Sequence, residues 1–226
     1  MKTVAVMPAY QEEPRIGAAV LGVKKHVPTV VVVDDGSTDL TAERAREAGA
    51  IVLKHAFNRG QGAALKTGTL AALELGAEII VHVDADGQHD PEFLPALIRP
   101  IEENAADVVF GSRYLGVKAD GLPWVRRWVH AGARIFNSYA LGIPRSVTDP
   151  QSGLRALTAA AARELDFSQD RMAHASEILR LVTRSRWRWL EVPVKVRYTE
   201  ETLAKGNKVS DAFKIVWELF LGMFRG

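Results

Sequence analysis

The run Asp84-Ala85-Asp86-Gly87-Gln88 sets two carboxylates one residue apart, directly after the apolar stretch Ile79–Val83. Where a strand opens into a turn, such a pair can face one cation. Mg²⁺ typically takes one or two protein carboxylates and fills its remaining positions with water and substrate phosphates. A cation held there would draw off the charge that builds on a diphosphate leaving group. A solvated acidic turn explains the same residues, because Asp and Gly are frequent turn formers, and spacing does not separate the two readings. Asp34-Asp35-Gly36-Ser37-Thr38-Asp39 closes a second apolar run. Gly36 suits the turn, and Ser37, Thr38 or Asp39 suits a helix cap. That leaves the adjacent acids Asp34 and Asp35 unexplained; they repel, and persist most easily where a cation or a donor such as a nucleobase N–H uses them. Pro8-Ala9-Tyr10-Gln11-Glu12 ends the first apolar run. Tyr10 suits packing on a base or ribose and Glu12 suits accepting from ribose hydroxyls, although a capped loop accounts for both.

Three further groups carry charge near turns. Arg113, in Gly111-Ser112-Arg113-Tyr114, has the planar fork that matches phosphate oxygens. Thr148-Asp149-Pro150-Gln151-Ser152-Gly153-Leu154-Arg155 places an acid and a cation together, and Glu177 lies on a later helical stretch. Taken singly, each is more often a surface or capping residue than a catalytic one. Several chemistries are excluded. A dinucleotide fold needs G-x-G-x-x-G after the first strand, where PAYQEE stands, and a P-loop needs Gly before its Lys, where Leu65 precedes Lys66. No G-x-S-x-G elbow is present, and the histidines lack H-x-x-x-H spacing, His89 alone lying beside the acidic turn. Without cysteine there is no disulfide, thiolate nucleophile or Cys-bound zinc.

The elements that must position these groups alternate. Thr3–Met7, Thr29–Val33, Ile51–Leu53, Glu78–Val83 and Asp107–Phe110 are short, β-branched runs that suit buried parallel strands. Helical stretches over Arg15–His26, Leu40–Ala48, Gln61–Leu75 and Pro91–Asn104 separate them, the last with Asp90 as its cap. Strand–helix alternation predicts a doubly wound α/β sheet, with ligands beyond the carboxyl ends of its strands. There Pro8–Glu12, Asp34–Asp39 and Asp84–Asp90 share one edge. The second half predicts one long or two short helices over Leu122–Leu141, a strand at Gly153–Leu157, a helix through His174–Arg184 and an extended Trp187–Tyr198. With 226 residues, 47% hydrophobic and 25% charged, the chain reads as one ordinary globular domain, and a formal charge of +2 gives no sign of a nucleic-acid partner. No run reaches eighteen apolar residues and the N-terminus lacks a signal-peptide core, so a cytoplasmic location is expected.

In this order, PAYQEE, VVVDDGSTD, NRGQGAALKTG, DADGQHDPE, GSRY, TDPQSGLRAL and EVPVKVRY resemble glycosyltransferase family 2, in particular its polyprenol-phosphate mannose or glucose synthases of the dolichol-phosphate mannose synthase type. The resemblance implies a single GT-A domain over 1–208, a mostly parallel sheet flanked by helices, and inversion at the anomeric carbon. It implies Mg²⁺ or Mn²⁺ on Asp84, Asp86 and Gln88; a nucleoside, as in GDP-mannose or UDP-glucose, held by Pro8, Ala9, Tyr10, Glu12, Asp34 and Asp35; and phosphates met by Arg113 and Arg127. The acceptor, a polyprenyl phosphate, would lie by Asp149, Gln151, Arg155 and Glu177. A hydroxyl acceptor would instead need a base, for which Asp149 or Glu177 is the candidate. Many such relatives continue into transmembrane helices; here Val209–Phe224 reads as an amphipathic helix for a membrane interface or for docking. The Arg/Trp-rich Trp124–Arg134 suits an anionic lipid surface or the sheet, and Thr199–Lys208 suits a loop closing over donor. Nucleotidyl transfer and a non-catalytic sugar-nucleotide-binding subunit are the alternatives. The first usually carries a Gly-rich first loop, and the second would have lost acids that are present here.

Overall fold

The computed structural model describes residues 1–115, 143–144, 146–150, 152–170 and 174–195. Val, Ile and Ala crowd the strands because both faces of the sheet are covered. These strands are β1 (Thr3–Ala9), β2 (Thr29–Asp34), β3 (Ile51–Lys54), β4 (Ile79–His82), β5 (Val108–Ser112), β6 (Arg155–Thr158) and β7 (Trp189–Pro193). They form one sheet in the order β3-β2-β1-β4-β6-β5-β7. The helices are α1 (Glu13–Lys24), α2 (Thr41–Glu47), α3 (Gln61–Glu74), α4 (Leu94–Glu102), α5 (Ala159–Glu164) and α6 (His174–Arg184), with a 3₁₀ turn at Pro91–Phe93 before α4. Alternate residues of β1 feed opposite cores. Ala5, Met7 and Ala9 join Ile16, Val20, Leu94 and Leu97 of α1 and α4. Val4 and Val6 join Leu65, Ala72, Ile178 and Leu179 of α3 and α6. Among the described residues, no helix is long and apolar enough to cross a membrane.

β1 pairs in parallel with β2 on one side and β4 on the other, so the chain reverses its winding direction there. In doubly wound sheets that switch opens a crevice beyond the carboxyl ends, and both PAYQEE and DADGQ leave their strands beside it. β6 runs antiparallel between β4 and β5, with Arg155 opposite both His82 and Phe110. Its amino end therefore lies at the edge where its neighbours end, which brings Asp149–Gly153 to the same crevice.

The expected elements that fall on described residues are found with shifted bounds. α1 starts at Glu13, because Pro14 suits a first turn. The predicted Pro91–Asn104 helix divides into the 3₁₀ turn, which Asp90 caps by accepting from the Glu92 N–H at 3.3 Å, and α4. α4 stops before Asn104, which is left-handed at φ 55°. Leu40, without a side-chain cap, precedes α2; Asp39 instead accepts from the Thr41 N–H at 3.1 Å. α5 was not predicted; it is six residues long, and Thr158 caps it by accepting from the Ala161 N–H. The helices expected over Leu122–Leu141 with their Trp124–Arg134 surface, the loop expected at Thr199–Lys208 and the helix expected at Val209–Phe224 lie outside the described residues.

Candidate active site

Asp84 follows β4, and both its oxygens are engaged. Oδ1 accepts from Gln61 Nε2, at the start of α3, at 2.8 Å, and Oδ2 lies 3.2 Å from His89 Nε2. Behind it sits Gly153, where a Cβ would overlap the carboxylate and come within 3.0 Å of Asp84 Cγ. Burial opposes ionisation of Asp84, but the His89 hydrogen bond and the charges of His89, Arg155 and His174 together hold its carboxyl below the ordinary range. Asp86 behaves in the opposite way: burial and the Asp84 charge raise it, against a hydrogen bond from the Gln88 N–H at 2.9 Å. Two unequal acids, one ionised beforehand and one strained by its neighbour, suit a divalent cation that relieves the repulsion. Among the described residues no third His, Cys, Asp or Glu completes a cage. A hard cation would then keep most of its sphere for water and phosphate oxygens, as Mg²⁺ and Mn²⁺ do at nucleotides.

The sign of the Asp86 shift gives a stability prediction. A carboxyl raised in the folded state is costly to ionise there, so the cost is present above the raised value and vanishes below it. Asp86→Asn should therefore raise the Tm at pH 7.5 in EDTA by up to about 3 °C while removing Mn²⁺ binding. A lower Tm in a calorimetric scan would contradict this account of Asp86.

At the other end of the crevice, Asp34 is fully buried; its Oδ1 accepts from the Ser37 N–H at 2.9 Å and its Oδ2 lies 3.3 Å from Lys54 Nζ. Its carboxylate faces the turn it closes. Asp35 accepts from the Arg59 N–H at 2.9 Å and the Gly60 N–H at 2.7 Å, and meets His55 Nδ1 at 2.7 Å. Gly36, at φ +76°, lets the backbone of Phe57–Asn58 press against this turn; a Cβ there would lie 2.5 Å from the Phe57 carbonyl carbon. Pro8 and Ala9 end β1 opposite Val33 and Asp34. Tyr10 is exposed, and Glu12 pairs with Arg15 at 3.0 Å while its N–H donates to Thr41 Oγ1.

Arg113 and Asp149, expected on the phosphate and acceptor sides, meet as a two-pronged pair, Nε to Oδ2 at 2.6 Å and Nη2 to Oδ1 at 2.7 Å. Glu191 of β7 fixes the acid by accepting the N–H groups of Thr148 and Asp149 at 2.9 and 3.0 Å. Arg155 is fully buried, its pKa pulled down to about 10 by desolvation, and neither Nη1 nor Nη2 has a partner among the described residues. Glu177 accepts from the Ser168 N–H and Oγ and the Gln169 N–H, so it holds the loop whose Asp170 carbonyl accepts from the Gly62 N–H of α3. Arg127 and Gln151 lie outside the described residues. Gln61, Gly153 and Glu191 were not singled out in the sequence: they act by distance or by missing volume, for which no residue spacing gives a signal.

Residues 4–165 match Glycosyl transferase family 2. The chain belongs to that family. Related family 2 enzymes cover nearly all of it. It is 34% identical to a UDP-N-acetylglucosamine–dolichyl-phosphate N-acetylglucosaminyltransferase of Methanococcus voltae, over 96% of this chain and 94% of that one. It is 29% identical to a dolichol-phosphate mannosyltransferase of Pyrococcus furiosus, over 97% of this chain and 64% of that one. Among solved structures, glucosyl-3-phosphoglycerate synthase from Mycobacterium tuberculosis, crystallised with Mn²⁺, UDP and glucosyl-3-phosphoglycerate, superposes with a TM-score of 0.76 at 21% identity, over 97% of this chain and 77% of that one. The fold is thus that of the GT-A glycosyltransferases, and the chain is a transferase related to the polyprenol- and dolichol-phosphate glycosyltransferases.

Proposed function

We propose that the chain moves a hexosyl group, with inversion, from a nucleotide-diphospho-sugar to a polyprenyl phosphate. The observation that carries the reading is the unequal acid pair Asp84 and Asp86, placed beside the Asp35 turn on one side and the Arg113–Asp149 pair on the other. A crevice with donor groups, metal ligands and a guanidinium in that order fits a nucleoside, its diphosphate and an incoming anion. Asp84, Asp86 and Gln88 would hold Mg²⁺ or Mn²⁺. That cation, when bound, supplies positive charge to the departing diphosphate. Tyr10 covers the base, and Asp35 accepts from it. Asp149 fixes the Arg113 guanidinium, whose positive charge would serve phosphate oxygens, and a phosphate acceptor is already anionic, so no strong base need take a proton from it. Glu177, whose oxygens serve the 168–169 loop, acts in this reading as a positioning residue. Attachment is peripheral, through the Arg/Trp-rich sequence 124–134 and the apolar sequence 209–226 at an anionic membrane surface.

Two relatives name dolichyl phosphate as acceptor, which favours a lipid phosphate over a sugar hydroxyl. One of them names UDP-N-acetylglucosamine as donor, which favours a second reading, N-acetylhexosaminyl transfer. GDP-mannose, UDP-glucose and UDP-N-acetylglucosamine should be tested with detergent-dispersed polyprenyl phosphate, in Mn²⁺ and in EDTA. One donor is expected to give a chloroform-soluble glycolipid in Mn²⁺ only. Transfer to a soluble saccharide, with none to lipid, would overturn the acceptor assignment.

A further inference from the structure

The segment between β3 and α3 ties the two ends of the crevice together. His55 bridges Asp35, through Nδ1 at 2.7 Å, and Thr67 Oγ1 of α3, through Nε2 at 3.0 Å. Asp35 also accepts from the N–H groups of Arg59 and Gly60. The next residue is Gln61, the first of α3, whose Nε2 reaches Asp84 Oδ1 at 2.8 Å. A carboxylate offers about four acceptor positions. Among the described residues three on Asp35 are used, which leaves one for a nucleobase N–H. Any shift of Asp35 on binding a base is thus passed to the Arg59–Gly60 backbone, and from there to the side chain that orients the metal-binding acid.

We propose that Gln61, carried on the His55–Gly60 segment, is a positioning residue that couples nucleoside recognition at Asp35 to metal binding at Asp84. The inference rests on the donor reading above. It differs from ordinary donor–metal synergy, in which phosphate oxygens ligate the ion directly, because it predicts an effect of a nucleoside that has no phosphate. A nucleoside engaging Asp35 fixes Gln61 against Asp84 and so favours the cation. Linkage requires the converse as well, Mn²⁺ tightening the nucleoside by the same factor.

The test measures free Mn²⁺ by electron paramagnetic resonance on the full chain, with and without saturating uridine or guanosine. In the wild-type chain the matching nucleoside is expected to tighten Mn²⁺ about fivefold, the lower end of usual coupling. In Gln61→Ala, Mn²⁺ is expected to bind several-fold more weakly and the nucleoside factor to fall to about one, with nucleoside affinity kept within about twofold. Gln61→Asn, one methylene too short to reach Asp84, should behave the same way and serves if the alanine variant does not fold. An unchanged nucleoside factor in the folded variant, or no factor in the wild-type chain that does bind nucleoside, overturns the coupling alone. If the wild-type chain binds neither nucleoside nor UDP and GDP, the donor reading falls and takes the inference with it.

Discussion

Gly153→Ala is expected to cut Mn²⁺-dependent transfer by at least about 10²-fold while leaving the chain folded. The alanine methyl would occupy the space of the Asp84 carboxylate. A free surface aspartate would swing aside at little cost, but this one is held by Gln61 on one oxygen and His89 on the other. Relief of the overlap must break one of those contacts or move the β6 approach, and either moves the Asp84 carboxylate, the proposed cation ligand, by about an ångström. Misplacement of that size at a reacting centre commonly costs about 10² in rate. Mn²⁺ affinity and a thermal melt should be read on the same sample. Activity within twofold of wild type would show that Asp84 does not need its observed position.

Asp149→Ala is expected to lower both activity, by about 10²–10³-fold, and stability. The Arg113 side chain is only 15% exposed and Asp149 1%, so the guanidinium would lose its two-pronged partner in a largely dehydrated setting. Removal of one partner from such a pair costs roughly 2–4 kcal/mol, somewhat less than for full burial, or a Tm drop of about 4–16 °C for a chain of this size. Asp149→Asn, which keeps one acceptor and the shape, should recover most of the Tm but little of the activity. Recovery of both would reduce Asp149 to a structural role. Glu191→Gln offers an independent check, since it loosens the Thr148–Asp149 backbone without touching Arg113, and should fall between the two.

Strands alternating with helices at short spacing made the first half of the fold legible, because buried β-branched runs such as Thr29–Val33 have few other homes. The acids at the strand ends were legible for the same reason: once the strands are placed, their carboxyl edge is fixed. The antiparallel course of β6 was not legible. Gly153–Leu157 reads as a strand, but its direction depends on the partners it finds, and these lie 73–79 residues earlier in β4 and 45–49 residues earlier in β5. The partners of the site acids were hidden likewise. Asp35, expected at the nucleoside, also holds the NRGQG segment, and Glu177, expected on the acceptor side, also holds a neighbouring loop. A carboxylate in a sequence announces charge; which donors surround it is set by backbone N–H groups that every residue carries.

The placement of β6 also bears on the order in which the chain can fold. The first four strands, complete by His82, form a sheet of local parallel crossovers and can assemble as they leave the ribosome. β5 comes next in synthesis but has no place on that sheet, because the position beside β4 belongs to β6, which emerges more than forty residues later. Until then β4 presents an open edge with its row of unpaired backbone groups. The half that carries Pro8–Glu12 and Asp34–Asp39 thus exists before the half that completes the crevice, and the nascent chain must protect one strand edge through that interval.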